Sequence, residues 1–402
     1  MASDSNLAVV LDRIAAIKPA LQKQAKISDR DNCFPTESLE LIKKEGLLNL
    51  IIPTSFGGFG LSFLEYQHSI AQLSQACAAT AASLNMHCIV LGALADVFSP
   101  RLNDDQKKFV WPYAEKIFNK VTQENKVFAS ATSEPATGAR YSKTKTTYHS
   151  VAGGYVINGT KSFVTMAGYA DFYSVIARKK DAEEGMDSYS LTFFIVPSDA
   201  PGVRVVEDWD TLGMRGTQSH QVVFNDVFIP EESAFLGITG FALMKIIQAP
   251  HWVTGGYLGV YLGIMEASLN FAINYIKERT DKDNKTGLGY DAMIQANIAK
   301  LYQLYQHAYN AVFDAANRVI KDPHKKETHQ ALYLAKYVVG ENAVQLAVLA
   351  MKTCGGAAIH KKHDLERYFR DSMCAPLMPV VSNACEAFIG KSLIGLPTDT
   401  IW

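Results

Sequence analysis

The sequence predicts a multidomain α+β protein with an N-terminal helical domain, a middle antiparallel β-sandwich or barrel, and a C-terminal four-helix bundle. Three observations carry this. The apolar residues recur at three-to-four spacing up to about residue 125, alternate with period two from 126 to about 233, and return to helical spacing from 234 to 402. Turn dipeptides crowd the middle segment and thin out on either side. The chain has 402 residues, 48% of them hydrophobic, which is enough for two or three packed units with real cores. The domains are therefore expected at 1–125, 126–233 and 234–402.

In the first segment, residues 7–25, 36–45 and 61–95 read as helices. Residues 53–60 (PTSFGGFG) break the pattern. Their glycines fall between helices rather than between a strand and a helix, which favours a tight turn over a phosphate cradle. In the middle segment the expected strands are 127–132, 155–158, 161–166, 172–177, 191–196, 203–206 and 221–224. Asn158 and Gly159 read as a hairpin turn between two of them. In the last segment, residues 241–279 are apolar on more than one face and are interrupted at Pro250, as expected of a helix buried in a bundle. Residues 281–290 form a polar loop, and 295–321 and 328–353 are two further helices, the second ended by Gly355 and Gly356.

Composition narrows the function classes. The net charge is −1 with no basic block, which argues against nucleic acid as a partner. The six cysteines show neither a Cys-x-x-Cys pair nor zinc spacing, which fits reduced thiols in a cytoplasmic protein and no metal. The first residues lack a basic segment before an apolar run, so no secretory signal is expected. No run of about twenty apolar residues suggests a membrane span.

Residues 128–135 (FASATSEP) and 158–165 (NGTKSFVT) place short polar side chains and free N–H groups at strand ends. Such ends suit the rim of a flat, polar, aromatic ligand. Residues 211–230 (TLGMRGTQSHQVVFNDVFIP) and the spacing from Gly355 and Gly356 to Arg370 and Asp371 add two further ordered stretches. Together these segments resemble the acyl-CoA dehydrogenase family, over nearly the whole chain and in the family's order of domains. The resemblance implies FAD, with FMN as the alternative, held by Ala131, Thr132, Ser133, Phe163 and Thr165 around the flavin ring. It implies that a neighbouring subunit completes the ADP half through positions matching Arg279, Lys352, Gly355 and Gly356. A homo-oligomer, expected as a tetramer, follows from such sharing. The implied substrate is an acyl thioester, and an electron-transfer flavoprotein is a possible acceptor. Ala139 and Arg140 stand at substrate-side positions where the family has serine and aspartate.

The resemblance breaks at the catalytic base. The family's usual glutamate lies eight residues beyond the Arg-Asp aspartate, and Pro379 occupies that position. No Asp or Glu occurs between Asp371 and Glu386. Proline is no base and has no N–H; a lost carbonyl-binding donor costs about 3 kcal/mol of transition-state stabilisation. In the family's alternative slot, on the first long C-terminal helix, stands Val253, with His251 nearby. His87, within residues 83–91 (SLNMHCIVL), is a further candidate, since related flavin monooxygenases of this fold use histidines near the flavin. Three readings follow: an acyl-CoA-type dehydrogenase, an oxygen-using flavoprotein (oxidase or monooxygenase), and a flavin-binding paralogue without chemistry.

Overall fold

The order of elements is helical, β, helical, in a computed structural model that describes residues 3–96, 103–182, 187–242, 249–279 and 287–398. Five principal helices come first: α1 (Ser3–Asp31), α2 (Thr36–Lys44), α3 (Phe63–Ala76), α4 (Ala78–Ala95) and α5 (Asp104–Thr122). Helix α3 starts on a capping box. The Ser62 side chain accepts from the Glu65 N–H, and the Glu65 carboxylate accepts from the Ser62 N–H at 2.8 Å. Helix α4 is apolar on all sides and is the innermost of the five, with 83% of its 18 residues buried inside the protein. It passes a length-and-hydropathy test for a membrane span, but core packing accounts for it.

The middle segment forms one seven-stranded sheet: β1 (Phe128–Ala131), β2 (Thr147–Val151), β3 (Gly154–Lys161), β4 (Phe172–Lys179), β5 (Leu191–Pro197), β6 (Val203–Val206) and β7 (Gln221–Pro230). The strand order is β1-β4-β2-β3-β7-β6, with β5 on the free side of β4. Most pairs are antiparallel as expected, but β4 pairs in parallel with both β1 and β2. The Asp171 carboxylate explains the first pair. It accepts from the Val127 N–H at 2.8 Å and from Lys126 Nζ at 3.0 Å, pinning the starts of β1 and β4 side by side.

The expected hairpin at Asn158 and Gly159 is also corrected. Both residues lie inside β3, at a register shift against β7. Gly159 has φ +152°, and a Cβ there would come within 2.7 Å of the Thr146 Cα, so only glycine fits. Asn158 serves the neighbouring strand instead: its Oδ1 accepts from the Asp226 N–H at 2.9 Å. The true hairpin joins β2, which period-two reading missed, to β3. The expected strand at 161–166 is a turn-rich loop beyond Lys161.

The C-terminal helices are α6 (Pro250–Gly255), α7 (Leu258–Lys277), α8 (Ala292–Lys321), α9 (Lys326–Cys354), α10 (Leu365–Ser372) and α11 (Ser382–Leu393). Helices α7, α8 and α9 pack on one another, and α11 lies on α9. Helix α3 joins this bundle across α7, where Gln67 is fully buried and bonded at both ends of its amide, to the Gly255 carbonyl and from the Gly259 N–H. Most of the expected polar loop at 281–290 lies outside the described residues.

Candidate functional site

The two segments flagged in the sequence meet at the end of β1. The Ser162 N–H donates to the Ser133 carbonyl at 2.9 Å, which sets Ser133 beside Phe163. Behind them lies a buried ion pair. Lys161 Nζ is 2.8 Å from Glu134, and the same carboxylate accepts from the N–H groups of Lys145 and Thr146. Burial pulls the Lys161 ammonium down to about 8, against the opposing effect of Glu134. Burial pushes the Glu134 carboxyl up, but Lys161 and the two N–H groups outweigh it and hold it below the usual range. The Glu of TSEP and the Lys of NGTK thus lock the two segments together. Sequence reading treated both only as motif letters; opposite charges in two apolar strand ends were the available signal.

The rim is built on strained backbone. Phe163, Met166, Met214 and Gln218 all have φ between +43° and +65°. Non-glycine residues in this region are costly and cluster at functional sites. The Val164 N–H donates to the His220 carbonyl and the Met166 N–H to the Thr217 carbonyl, so the loops at 163–166 and 214–220 hold one another in place. The loop at 214–220 is itself clamped from the C-terminal bundle: Asp371 accepts from the Met214 N–H at 2.6 Å. Burial raises the Asp371 carboxyl to about 6, with the Met214 N–H opposing. Arg370 forks onto Asp29 and Glu366 and donates to the Leu212 carbonyl. The Arg-Asp motif therefore fixes the position of the Leu-Gly-Met-Arg segment.

Of the ring-binding candidates, Ala131 is buried and Thr132 and Ser133 are half-buried. Phe163 is 63% exposed, with its ring edge-on to Trp209 at 6.1 Å. Thr165 is buried and opens a chain of hydroxyls. Its Oγ1 lies 2.9 Å from the Ser219 hydroxyl, which lies 2.8 Å from the Thr217 hydroxyl, and Thr217 reaches the Met214 carbonyl at 2.9 Å. The Ser162 hydroxyl is buried with no partner. An exposed aromatic, a free Ser133 hydroxyl and an unpaired buried hydroxyl fit the flat, polar edge of a flavin.

Ala139 is half-buried and Arg140 exposed, just past the turn closed by Glu134 and Gly138; Arg140 Nε donates to the Thr137 carbonyl. Arg279, Lys352, Gly355 and Gly356 form a second group, at one end of the bundle. Arg279 lies 4.5 Å over the Tyr275 ring and close to Cys354, whose thiol burial raises to about 11 while Arg279 opposes. Lys352, Gly355 and Gly356 are exposed there.

The histidine candidates have other engagements. His87 is fully buried; its Nε2 meets the Leu48 carbonyl and its Nδ1 accepts from the Phe128 N–H, both at 3.1 Å. Burial lowers it to about 4, against the Leu48 hydrogen bond. It is neutral, ties α4 to β1, and has no nitrogen free for a reacting group. His251 Nε2 lies 3.0 Å from Asp96, and the Trp252 indole N–H donates to the same carboxylate oxygen. The His251 Nδ1 is buried without a partner, and its ring meets Phe63 edge-on. Pro379 is half-buried and its neighbour Val380 packs with Tyr333, Cys385 and Phe388. Glu386, the next acid along the chain, sits on α11 and bonds Tyr337.

A small cavity of about 30 Å³ opens where α4, α6 and the sheet meet. Ser130 and Thr132, two apart on β1 and its continuation, share a face and line it with Ser174 of β4. Val253 faces this cavity and His251 does not. Among the described residues no carboxylate, amine, imidazole or thiol lines it, and burial raises its Tyr141 phenol to about 12.

The acyl-CoA dehydrogenase N-terminal, middle and C-terminal domain models match residues 15–111, 129–227 and 256–379. A putative acyl-CoA dehydrogenase, YdbM, of Bacillus subtilis is 25% identical over 368 residues, covering 90% of each chain. Butyryl-CoA dehydrogenase from Megasphaera elsdenii superposes with TM-score 0.82 at 23% identity, covering 98% of both chains. FMN-bound TdsC from Paenibacillus sp. A11-2 superposes with TM-score 0.85 at 21% identity, covering 97% of this chain and 98% of that one. With three domain models matched in order on a fold of the same architecture, the chain belongs to the acyl-CoA dehydrogenase family.

Proposed function

We propose that the chain is a flavin-dependent oxidoreductase acting on the CH–CH group of an acyl-CoA-type thioester. The rim formed by Ser133, Phe163 and Thr165 carries this reading. FAD is the proposed cofactor and FMN the alternative. Bound there, a flavin supplies a two-electron acceptor. The Ser133 hydroxyl and the N–H groups of Thr132 and Ser133 would bind its polar edge, Phe163 would cover its ring, and the Thr165 hydroxyl would hydrogen-bond its edge. Arg279, Lys352, Gly355 and Gly356 would serve a neighbouring subunit's cofactor in a homotetramer. Exposed Met293 and Tyr302 on α8 and Leu393 at the end of α11 are suited to subunit contact.

Family chemistry also needs a base, and none lines the cavity among the described residues. A general base contributes about 10²–10⁴-fold, so dehydrogenation here should be slow by that factor. This same observation favours a second reading, an oxygen-using flavoprotein, which needs no thioester base. Anaerobic titration of the flavin-loaded protein with short, medium, branched and aromatic acyl-CoAs separates the two. Bleaching of the flavin band by one of them supports the thioester reading. An unbleached spectrum, with rapid reoxidation of chemically reduced protein by oxygen, supports the second. A protein that takes up no flavin sinks both.

A further inference from the structure

Two helices carry their cavity-facing stripes beyond the cavity itself. On α4, Ile89, Val90 and Ala93 line it, and Met86 stands one turn earlier on the same stripe. On the other side Trp252 and Val253 line it, and Tyr257 follows Val253 by one turn, because Gly256 and Tyr257 keep right-handed helical backbone between α6 and α7. The two stripes meet there. Ile89 packs so closely on Gly256 that a Cβ at that glycine would come within 2.7 Å of it, and the Tyr257 hydroxyl donates to the Met86 sulfur at 3.6 Å.

That hydroxyl is weakly engaged, since a thioether is a poor acceptor. Burial pushes the Tyr257 phenol up, helped by the Cys374 thiol and by Tyr141, so it stays a protonated donor at neutral pH. Its two influences mark its position. Tyr141 lines the cavity. Cys374 lies on the other side, where its carbonyl accepts from the N–H groups of Leu377 and Met378 and so holds the turn that leads to Pro379. Tyr257 therefore stands between the cavity and the segment in which proline has removed an N–H.

We propose that Tyr257 is a catalytic residue of the thioester reaction: its hydroxyl turns from the Met86 sulfur and donates a hydrogen bond to the acyl carbonyl oxygen. That oxygen gains charge as the α-proton leaves, and a donor aimed at developing charge in a site closed to water stabilises the transition state. Tyr257 thus supplies the donor that Pro379 lacks. A carbonyl oxygen is a better acceptor than sulfur, so the exchange of partners is favourable. This deepens the thioester reading given above, on which it rests.

The test is calorimetric titration of the full-length, flavin-loaded protein and its Tyr257→Phe variant with acetyl-CoA and S-ethyl-CoA. Acetyl-CoA has the carbonyl but no β-carbon to oxidise, and S-ethyl-CoA lacks the carbonyl. Tyr257→Phe is expected to weaken acetyl-CoA by about 3- to 10-fold, the worth of one hydrogen bond, and to leave S-ethyl-CoA unchanged. The control is Tyr261→Phe, which removes a fully buried hydroxyl without a partner one turn further along α7 and should change neither ligand. Anaerobic bleaching by whichever acyl-CoA reduces the flavin fastest should slow by about 10²-fold in Tyr257→Phe. Equal effects of Tyr257→Phe on the two ligands, the same loss of acetyl-CoA in Tyr261→Phe, or an unchanged bleaching rate overturns the proposal and leaves the thioester reading standing. If neither ligand binds the unaltered protein, the thioester reading fails and the proposal with it.

Discussion

The sheet rim and the segment from Asp371 to Val381 both carry motifs of the family, and they differ in what those motifs still present to a ligand. At the rim, the charged pair Glu134 and Lys161 is turned inward, and the surface it supports offers Ser133, Phe163 and Thr165. In the other segment, Arg370 and Asp371 are likewise turned to structural partners, but the surface they lead to displays the apolar Leu377 and Val381, with Pro379 half-buried and Val380 packed inside. In both places the charges build the scaffold. What differs is the neutral or ionisable side chain displayed in front of it. Motif matching mostly reports the scaffold; the displayed residues decide the chemistry.

The strongest way to break this comparison is to attack the rim's hidden pair. Lys161→Met leaves the Glu134 charge buried alone and should lower the unfolding free energy by about 3–5 kcal/mol. Urea denaturation measures it. The double variant Glu134→Gln with Lys161→Met should recover most of the loss; a double variant as unstable as the single would show that the pair is not the cause.

Two buried groups set opposite pH dependences on either side of the comparison. His87 holds a proton less tightly folded (about 4) than its ordinary 6.5, so its contribution is full above 6.5 and is lost as pH falls towards 4. Asp371 holds a proton more tightly folded (about 6) than its ordinary 3.8, so its contribution is full below 3.8 and is lost as pH rises through 6. Each is worth about 3 kcal/mol across its window, at roughly 1.4 kcal/mol per pH unit. In the native protein they oppose each other between pH 4 and 6. Asp371→Asn, which keeps an acceptor for the Met214 N–H, should unmask a steeper fall in stability on acidification. His87→Leu should reverse the slope and also cost about 2–4 kcal/mol at neutral pH, by stranding the Leu48 carbonyl and Phe128 N–H. Unchanged slopes in both variants would contradict the assignment of these two groups.

Smaller effects sharpen the distinction between scaffold and surface. Phe163→Ala should weaken flavin binding by about 3- to 10-fold, the worth of an aromatic contact, while moving the urea midpoint little, because the ring is 63% exposed. Arg140→Ala, on an exposed turn, should change stability by no more than about 0.5 kcal/mol. A large loss would place Arg140 in the scaffold.

The helical segments were legible because their periodicity is strong, and the order of domains followed from the change in period. The sheet was legible as a sheet but not in its pairings. Asn158 and Gly159 look like a hairpin turn, and only the packing of Thr146 against Gly159 shows why they lie inside a strand. The parallel pairing of β1 with β4 depends on Asp171, whose contact with Val127 spans 44 residues. At the site, the sequence pointed to Ser133, Phe163 and Thr165. It could not show that Glu134 meets Lys161, that His87 spends both nitrogens on backbone, or that Thr165 meets Ser219. Each of these depends on a neighbour that is distant in sequence.

The central claim is that a neutral rim displaying Phe163 and Ser133 binds a flavin. It is tested most directly by titrating FAD, and separately FMN, into the flavin-free full-length protein and its Phe163→Ala variant while following the visible absorbance. The account predicts saturation at one flavin per chain with a perturbed spectrum, and weaker binding in a variant of unchanged stability. A protein that takes up neither flavin, or one whose affinity is indifferent to Phe163, would contradict it.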